Sequence, residues 1–139
     1  MRISDWSSDV CSSDLGYYRD DRELEKLAEI ANEYADDIAG INTLQAAVVD
    51  KNGEQALPGP NRLRSGVCGQ GIKWAGLETV KKLRGIREKR GFSYSITGVG
   101  GVTEPQDYSK YRDAGADCVM SATGAMWNPL LAQEIKKQS

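Results

Sequence analysis

The chain has 139 residues, 40% of them hydrophobic, and its 18 basic and 20 acidic side chains leave a net charge of −2. That is enough for one ordinary soluble domain, and the even charge balance argues against an electrostatic grip on nucleic acid or anionic lipid, leaving small-molecule ligands open. No apolar run approaches the roughly 18 residues of a membrane span and no signal-peptide pattern can be assembled at the start, so a cytoplasmic location is expected. Cys11, Cys68 and Cys118 are far apart with no CxxC pair, and histidine is absent. Neither a disulfide framework nor a zinc site is expected, and proton transfer would fall to a carboxylate, Cys, Lys or Tyr.

Residues 1–15 stand apart. "RISDWSSDVCSSDL", Arg2 to Leu15, repeats Ser-Ser-Asp and has neither helical nor strand periodicity. It reads as a disordered or spurious leader and resembles translated sequencing-adapter DNA, which leaves 16–139 as a partial domain.

In "RELEKLAEIANEYADDI", Leu24, Leu27, Ala31, Tyr34 and Ile38 recur at three- and four-residue steps, which predicts an amphipathic helix from Arg22 to Ile38 with Asp20 or Asp21 as N-cap. Gly40 stops it and "AGINT" follows as a short strand. The stretch "LQAAVVDKNGEQALPGPNRLRSGVCGQG" reads as a long loop with a strand over Val48–Asn52 and a turn at Asn52-Gly53. Helical period returns from Trp74 to Lys89, and "FSYSITG" is a strand. A helix follows from Glu104 to Asp113, with Thr103 as N-cap and Pro105 in its first turn. "DCVMS" is a strand whose Cys118 is expected in the core, and Asn128 to Lys137 is a closing helix.

Strands alternating with helices imply a parallel sheet, either an open doubly wound one or part of an eight-stranded barrel. In both, ligands sit at the carboxyl ends of strands. "SITGVGGVTEP" places Gly98, Gly100 and Gly101 at such an end, where glycine serves either a tight turn or the close approach of a ligand. "SATGAMWNP" ends the next strand, with Thr123 offering a hydroxyl and Gly124 an open backbone. Two neighbouring loops with free N–H groups can hold a phosphate without any basic side chain. Asn42-Thr43, after the first strand, offers donors and acceptors suited to a flat polar heterocycle, or is simply a turn pair. Trp74 and Trp127 read as lids or packing residues. Lys81, Lys82, Arg84, Arg87, Lys89 and Arg90 read as a solvated helix face.

The ordered set "INTLQAAVVD", "SGVCGQGIKWAGLETVKKL" and "TGVGGVTEPQDYSKYRDAGADCVMSATGAMWNP" resembles the C-terminal part of the dihydroorotate dehydrogenase family, FMN-dependent (β/α)8 TIM barrels of pyrimidine biosynthesis. The resemblance runs from Leu24 to about Gln133. It implies an α/β fold that is the incomplete C-terminal part of such a barrel, and a flavoprotein oxidoreductase that converts dihydroorotate to orotate. Asn42 and Thr43 would then bind the substrate ring, Gly69 would line the flavin, and Gly100, Gly101, Ala122 and Thr123 would hold the FMN phosphate.

The family usually has Gly where Ala122 stands, Gly-Gly at Ser65-Gly66, and Ser-Gly-Pro near Cys68-Gly69-Gln70. Its Cys or Ser base and a flavin-contacting Lys would lie upstream of Gly16, so no catalytic residue is assigned and Cys68 is not taken for the base. The chain is expected to be a fragment, inactive and poorly stable alone because a cut barrel exposes sheet edges. Homo-oligomerisation would belong to the full-length parent. Two alternatives share the layout: a related FMN barrel such as a dihydropyrimidine dehydrogenase, or a flavin-free isomerase or lyase that binds a phosphorylated metabolite.

Overall fold

The computed structural model describes residues 15–138. The predicted leader lies outside the described residues except for Leu15, which makes an isolated parallel bridge to Gly40 and packs against the main core.

Helix α1 spans Asp21–Tyr34, capped by the Asp20 carboxylate, which accepts from the Arg22 amide. It is shorter than the predicted Arg22–Ile38. After Tyr34 the backbone turns extended at Ala35, and Asp37–Gly40 forms strand β1. Ile38 is therefore a fully buried strand residue, and its fit to the helical period is coincidental.

The predicted long loop holds a two-stranded antiparallel sheet, β2 (Leu44–Ala47) with β3 (Arg64–Val67). The predicted strand over Val48–Asn52 is absent. Only Val49 bridges, to Gln55, across a turn closed by the Asp50 carboxylate, which accepts from the Asn52 and Glu54 amides. Gly53 there has φ +83°.

A short 3-10 turn, Gln70–Ile72, leads into α2 (Lys73–Arg90), which ends on Gly91 in the left-handed conformation. Strand β4 is Ser95–Gly98, and α3 is Pro105–Ala114 with Pro105 in its first turn. The cap of α3 is Glu104, not Thr103. Glu104 and Asp107 form a reciprocal capping box in which each side chain accepts the other's backbone N–H, while Thr103, one residue earlier, donates its hydroxyl to the Asp107 carboxylate at 3.4 Å. Strand β5 keeps only Cys118–Val119, followed by α4 (Thr123–Trp127) and α5 (Leu131–Gln138). Cys118 is exposed, a correction to its expected place in the core: successive strand side chains face opposite sides of the sheet, and in β5 it is Val119, not Cys118, that packs against the core cluster.

The main sheet has the order β1-β4-β5, all parallel, with Ile38 opposite Ile96 and Gly98 opposite Val119. Strand β4 is the central strand, with Ile96, Thr97 and Gly98 all buried. Leu24 and Ala28 of α1, Val80 and Leu83 of α2, and Tyr111 and Ala114 of α3 close one core over Ile38 and Ile96. The basic stripe of α2 lies outside it. Lys82 pairs with Asp21 and Glu78, Arg84 with Glu88, and Arg90 with Glu29, so it is the solvated face that its composition suggests. Among the described residues no helix is long and apolar enough to cross a membrane.

Candidate functional site

Parallel pairing brings the carboxyl ends of β1, β4 and β5 to one edge of the sheet, and the segments leaving them meet around a cavity of about 130 Å³. Asn42 enters from the segment after β1, Cys68 and Gly69 from the end of β3, Val99 to Val102 from after β4, and Met120 to Gly124 from after β5. Of the seven residues singled out in the sequence, Asn42, Gly69, Gly100, Gly101, Ala122 and Thr123 all line this cavity. Thr43 does not. Its hydroxyl lies beside Gly66 of β3, where an added Cβ would come within 2.8 Å of it.

The glycines first serve the protein itself. A Cβ on Gly98 would lie 2.4 Å from Tyr111 Cδ1, and one on Gly76 of α2 would lie 2.1 Å from the Tyr111 hydroxyl, so both positions are notches for one buried ring. Gly100 and Gly101 have φ +116° and +69°, a region other residues rarely adopt. A Cβ on Gly101 would also meet the Gly69 carbonyl at 2.8 Å and Lys73 Cβ at 2.9 Å. Close approach is thus required here by the chain's own packing.

Among the described residues no charged side chain lines the cavity, so what they offer a ligand is backbone and small polar side chains. The Gly101 amide makes no hydrogen bond among the described residues. Cys68 Sγ lies 3.9 Å from Thr123 Oγ1, which puts both on one wall. Ser121 donates its hydroxyl to the Val102 carbonyl at 2.7 Å and so ties the loop after β5 to the loop after β4. Gly124 lies under the same carbonyl, where a Cβ would be 2.1 Å from it. Ser121, Val102 and Met120 were not singled out from sequence. The run of small residues in "SATG" is the signal that could have flagged Ser121.

Beneath the floor, Asp107 is fully buried and accepts from the Thr103 amide, from Lys73 at 2.6 Å and from Lys110 at 3.2 Å. Burial alone would raise its carboxyl pKa, but the hydrogen bonds from Lys73 and the Thr103 amide hold it below the ordinary value. Tyr111, buried beside that carboxylate, is pushed up by burial and then by the Asp107 charge, so its hydroxyl stays a donor. Trp127 is 85% exposed, and Trp74 packs edge-on against Tyr17 with ring centroids 5.5 Å apart. Neither ring lines the cavity.

No protein-family model matches the sequence. A curated dihydroorotate dehydrogenase of Dictyostelium discoideum is 44% identical over 98 residues, which are 70% of this chain and 26% of that protein. A crystal structure of DHODH from Eimeria tenella, in complex with ferulenol, matches with a TM-score of 0.64 over 85% of this chain and 30% of that one; at 21% identity it speaks for the fold. The chain therefore spans well under two thirds of either relative. Over those 98 residues this chain is a dihydroorotate dehydrogenase-like sequence, set on an α/β fold of the same kind, as its motifs imply.

Proposed function

We propose that residues 16–139 are the phosphate-binding and substrate-facing part of an FMN-dependent, dihydroorotate dehydrogenase-like oxidoreductase. The observation that supports this most is the convergence of three strand-end segments and the Cys68-Gly69 corner on one uncharged, glycine-floored cavity. The cavity suits the phosphate end of the cofactor. At about 130 Å³ it takes a phosphoryl group, whereas pockets for whole drug-sized ligands run to roughly 300–1,000 Å³.

In this reading the amides of Gly100, Gly101, Ala122 and Thr123 hold the phosphate, with the Thr123 hydroxyl as a further partner, and Gly69 borders the flavin. Ala122 keeps its amide where the family usually has Gly, so its methyl does not remove the donor. Asn42 is the substrate contact at the cavity wall, and Thr43, whose hydroxyl lies against Gly66 of β3, would act from just behind it. Bound FMN would supply the two-electron acceptor for a dihydropyrimidine. None of these residues is a proton-abstracting base, so the chain by itself is expected to bind without turning over.

Titrating the full chain with FMN, riboflavin and inorganic phosphate, and reading thermal unfolding, tests this. A ligand that binds only the native form must stabilise it. FMN and phosphate should raise the melting temperature, riboflavin should raise it less, and Gly101→Ala should abolish the response. Phosphate acting alone, with FMN no better than phosphate, would favour a flavin-free barrel that binds a phosphorylated metabolite. No response to any of the three would remove the phosphate reading.

A further inference from the structure

We propose that Tyr111 is the positioning residue of the phosphate cup: its buried hydroxyl fixes the Gly100 carbonyl and thereby aims the Gly101 amide at the cavity. The inference rests on reading that cavity as a phosphate site.

Tyr111 Oη donates to the Gly100 carbonyl at 2.6 Å, with the Val99 carbonyl 3.2 Å away. The Val99 carbonyl is held a second time by the Ile41 amide at 2.9 Å. Both carbonyls therefore point into the protein. In a planar trans peptide the N–H lies opposite the C=O, so the amides of Gly100 and Gly101, which share those two peptide units, point the other way. That is the direction an anion must approach from. Left-handed glycines can flip such units at little steric cost, so without an anchor on the carbonyl the amides would not keep one orientation.

The site is built to hold this hydroxyl. Gly76 and Gly98 leave the room that the Tyr111 ring fills, and Tyr111 is fully buried. One turn earlier on α3, Asp107 holds the far end of the same loop through the Thr103 and Glu104 amides. Tyr111 thus fixes carbonyls at the start of the loop, and Asp107 fixes amides at its end.

The test is Tyr111→Phe, which keeps the ring in its notch and removes only the donor. Amide order parameters and inorganic-phosphate titrations, both followed by NMR on the full chain, are compared with wild type. The variant should lower the order parameters of Gly100 and Gly101 while leaving Ile96 and Ala114 unchanged, and should weaken phosphate binding about tenfold, the equivalent of one hydrogen bond. Unchanged order at Gly100 and Gly101 would overturn the proposal. Loosened glycines in a protein whose wild type ignores phosphate would uphold the positioning role and refute the phosphate reading. If Tyr111→Phe does not fold, the wild-type Gly100 carbonyl carbon is the readout: an isotope shift on exchanging the tyrosine hydroxyl to deuterium supports the bond, and its absence overturns it.

Discussion

Lys73 Nζ lies 2.6 Å from Asp107 Oδ2, a contact between the first residue of α2 and the first turn of α3, with the carboxylate fully buried and the lysine side chain 15% exposed. The pair holds together the two helix starts that flank the glycine loop. Asp107 is also half of the α3 capping box, so its removal strips a cap and strands a largely enclosed ammonium. Asp107→Ala should therefore destabilise the fold by about 3 kcal/mol, within the range for breaking a buried pair and losing a cap. Lys73→Met should cost less, because Lys110 and the Thr103 and Glu104 amides still serve the carboxylate. Urea unfolding of the three proteins checks both the size and the order.

Asp107 and Asp117, the latter 2.5 Å from the Arg87 guanidinium at the amino end of β5, set an acid limit. Burial would raise Asp107 and Asp117, but hydrogen bonds outweigh it: Lys73 and the Thr103 amide at Asp107, Arg87 and the Ile96 amide at Asp117. Both are thus lower in the folded chain than in the unfolded one, where an aspartate titrates near 3.9. Between the folded and unfolded values the unfolded chain binds more protons, so their contribution is whole above about pH 4 and is lost as pH falls through the depressed folded values. Unfolding midpoints should be flat from neutrality to about pH 5 and drop below about pH 4. Asp107→Asn should start lower and show a shallower drop. An equally steep drop in that variant would remove Asp107 from the cause.

Gly98→Ala tests the notch independently of any ligand. Its new methyl would sit 2.4 Å from the Tyr111 ring, and ring and strand are both enclosed. Overpacking of this kind typically costs about 1–3 kcal/mol. A double-mutant cycle with Tyr111→Leu should show a favourable coupling that returns part of the loss, since the narrower side chain yields the space. Additive costs would mean that the strain lies in the backbone of β4.

These contacts also show what could be read from the sequence. The alternation of helices with short strands was legible at "SITG" and "CV", which fall inside the expected "FSYSITG" and "DCVMS", whereas β1 was expected two residues later, at "AGINT". Five of the seven chosen site residues meet because the ends of β1, β4 and β5 converge, and Gly69 joins them from the corner after β3. The helix-to-strand change at Ala35 was not legible, since Ile38 satisfies both the helical period and the buried face of β1. The β2–β3 pair was hidden for a similar reason: its strands carry Gln45, Arg64 and Ser65, and an exposed ribbon has no apolar alternation to betray it. The reason for Gly98 lies thirteen residues away in Tyr111, a contact that local reading does not reach.

The surface carries the last prediction. On α1, Ile30 is 62% and Tyr34 68% exposed, on the side of the helix that borders Leu15 and Tyr18. At the other end of the chain Met126 is 82% and Trp127 85% exposed. Among the described residues, strand β5, two residues long, also leaves its outer sheet edge unpaired. Exposed apolar side chains and an unpaired edge both favour association between copies. Light scattering should therefore rise with protein concentration. Ile30→Lys combined with Trp127→Lys should suppress that rise and change the unfolding midpoint little, because neither side chain belongs to the core. Scattering that persists in the double variant would assign the association to the β5 edge, and a proline at Cys118, which removes that strand's outer donor, would then be the variant that lowers it.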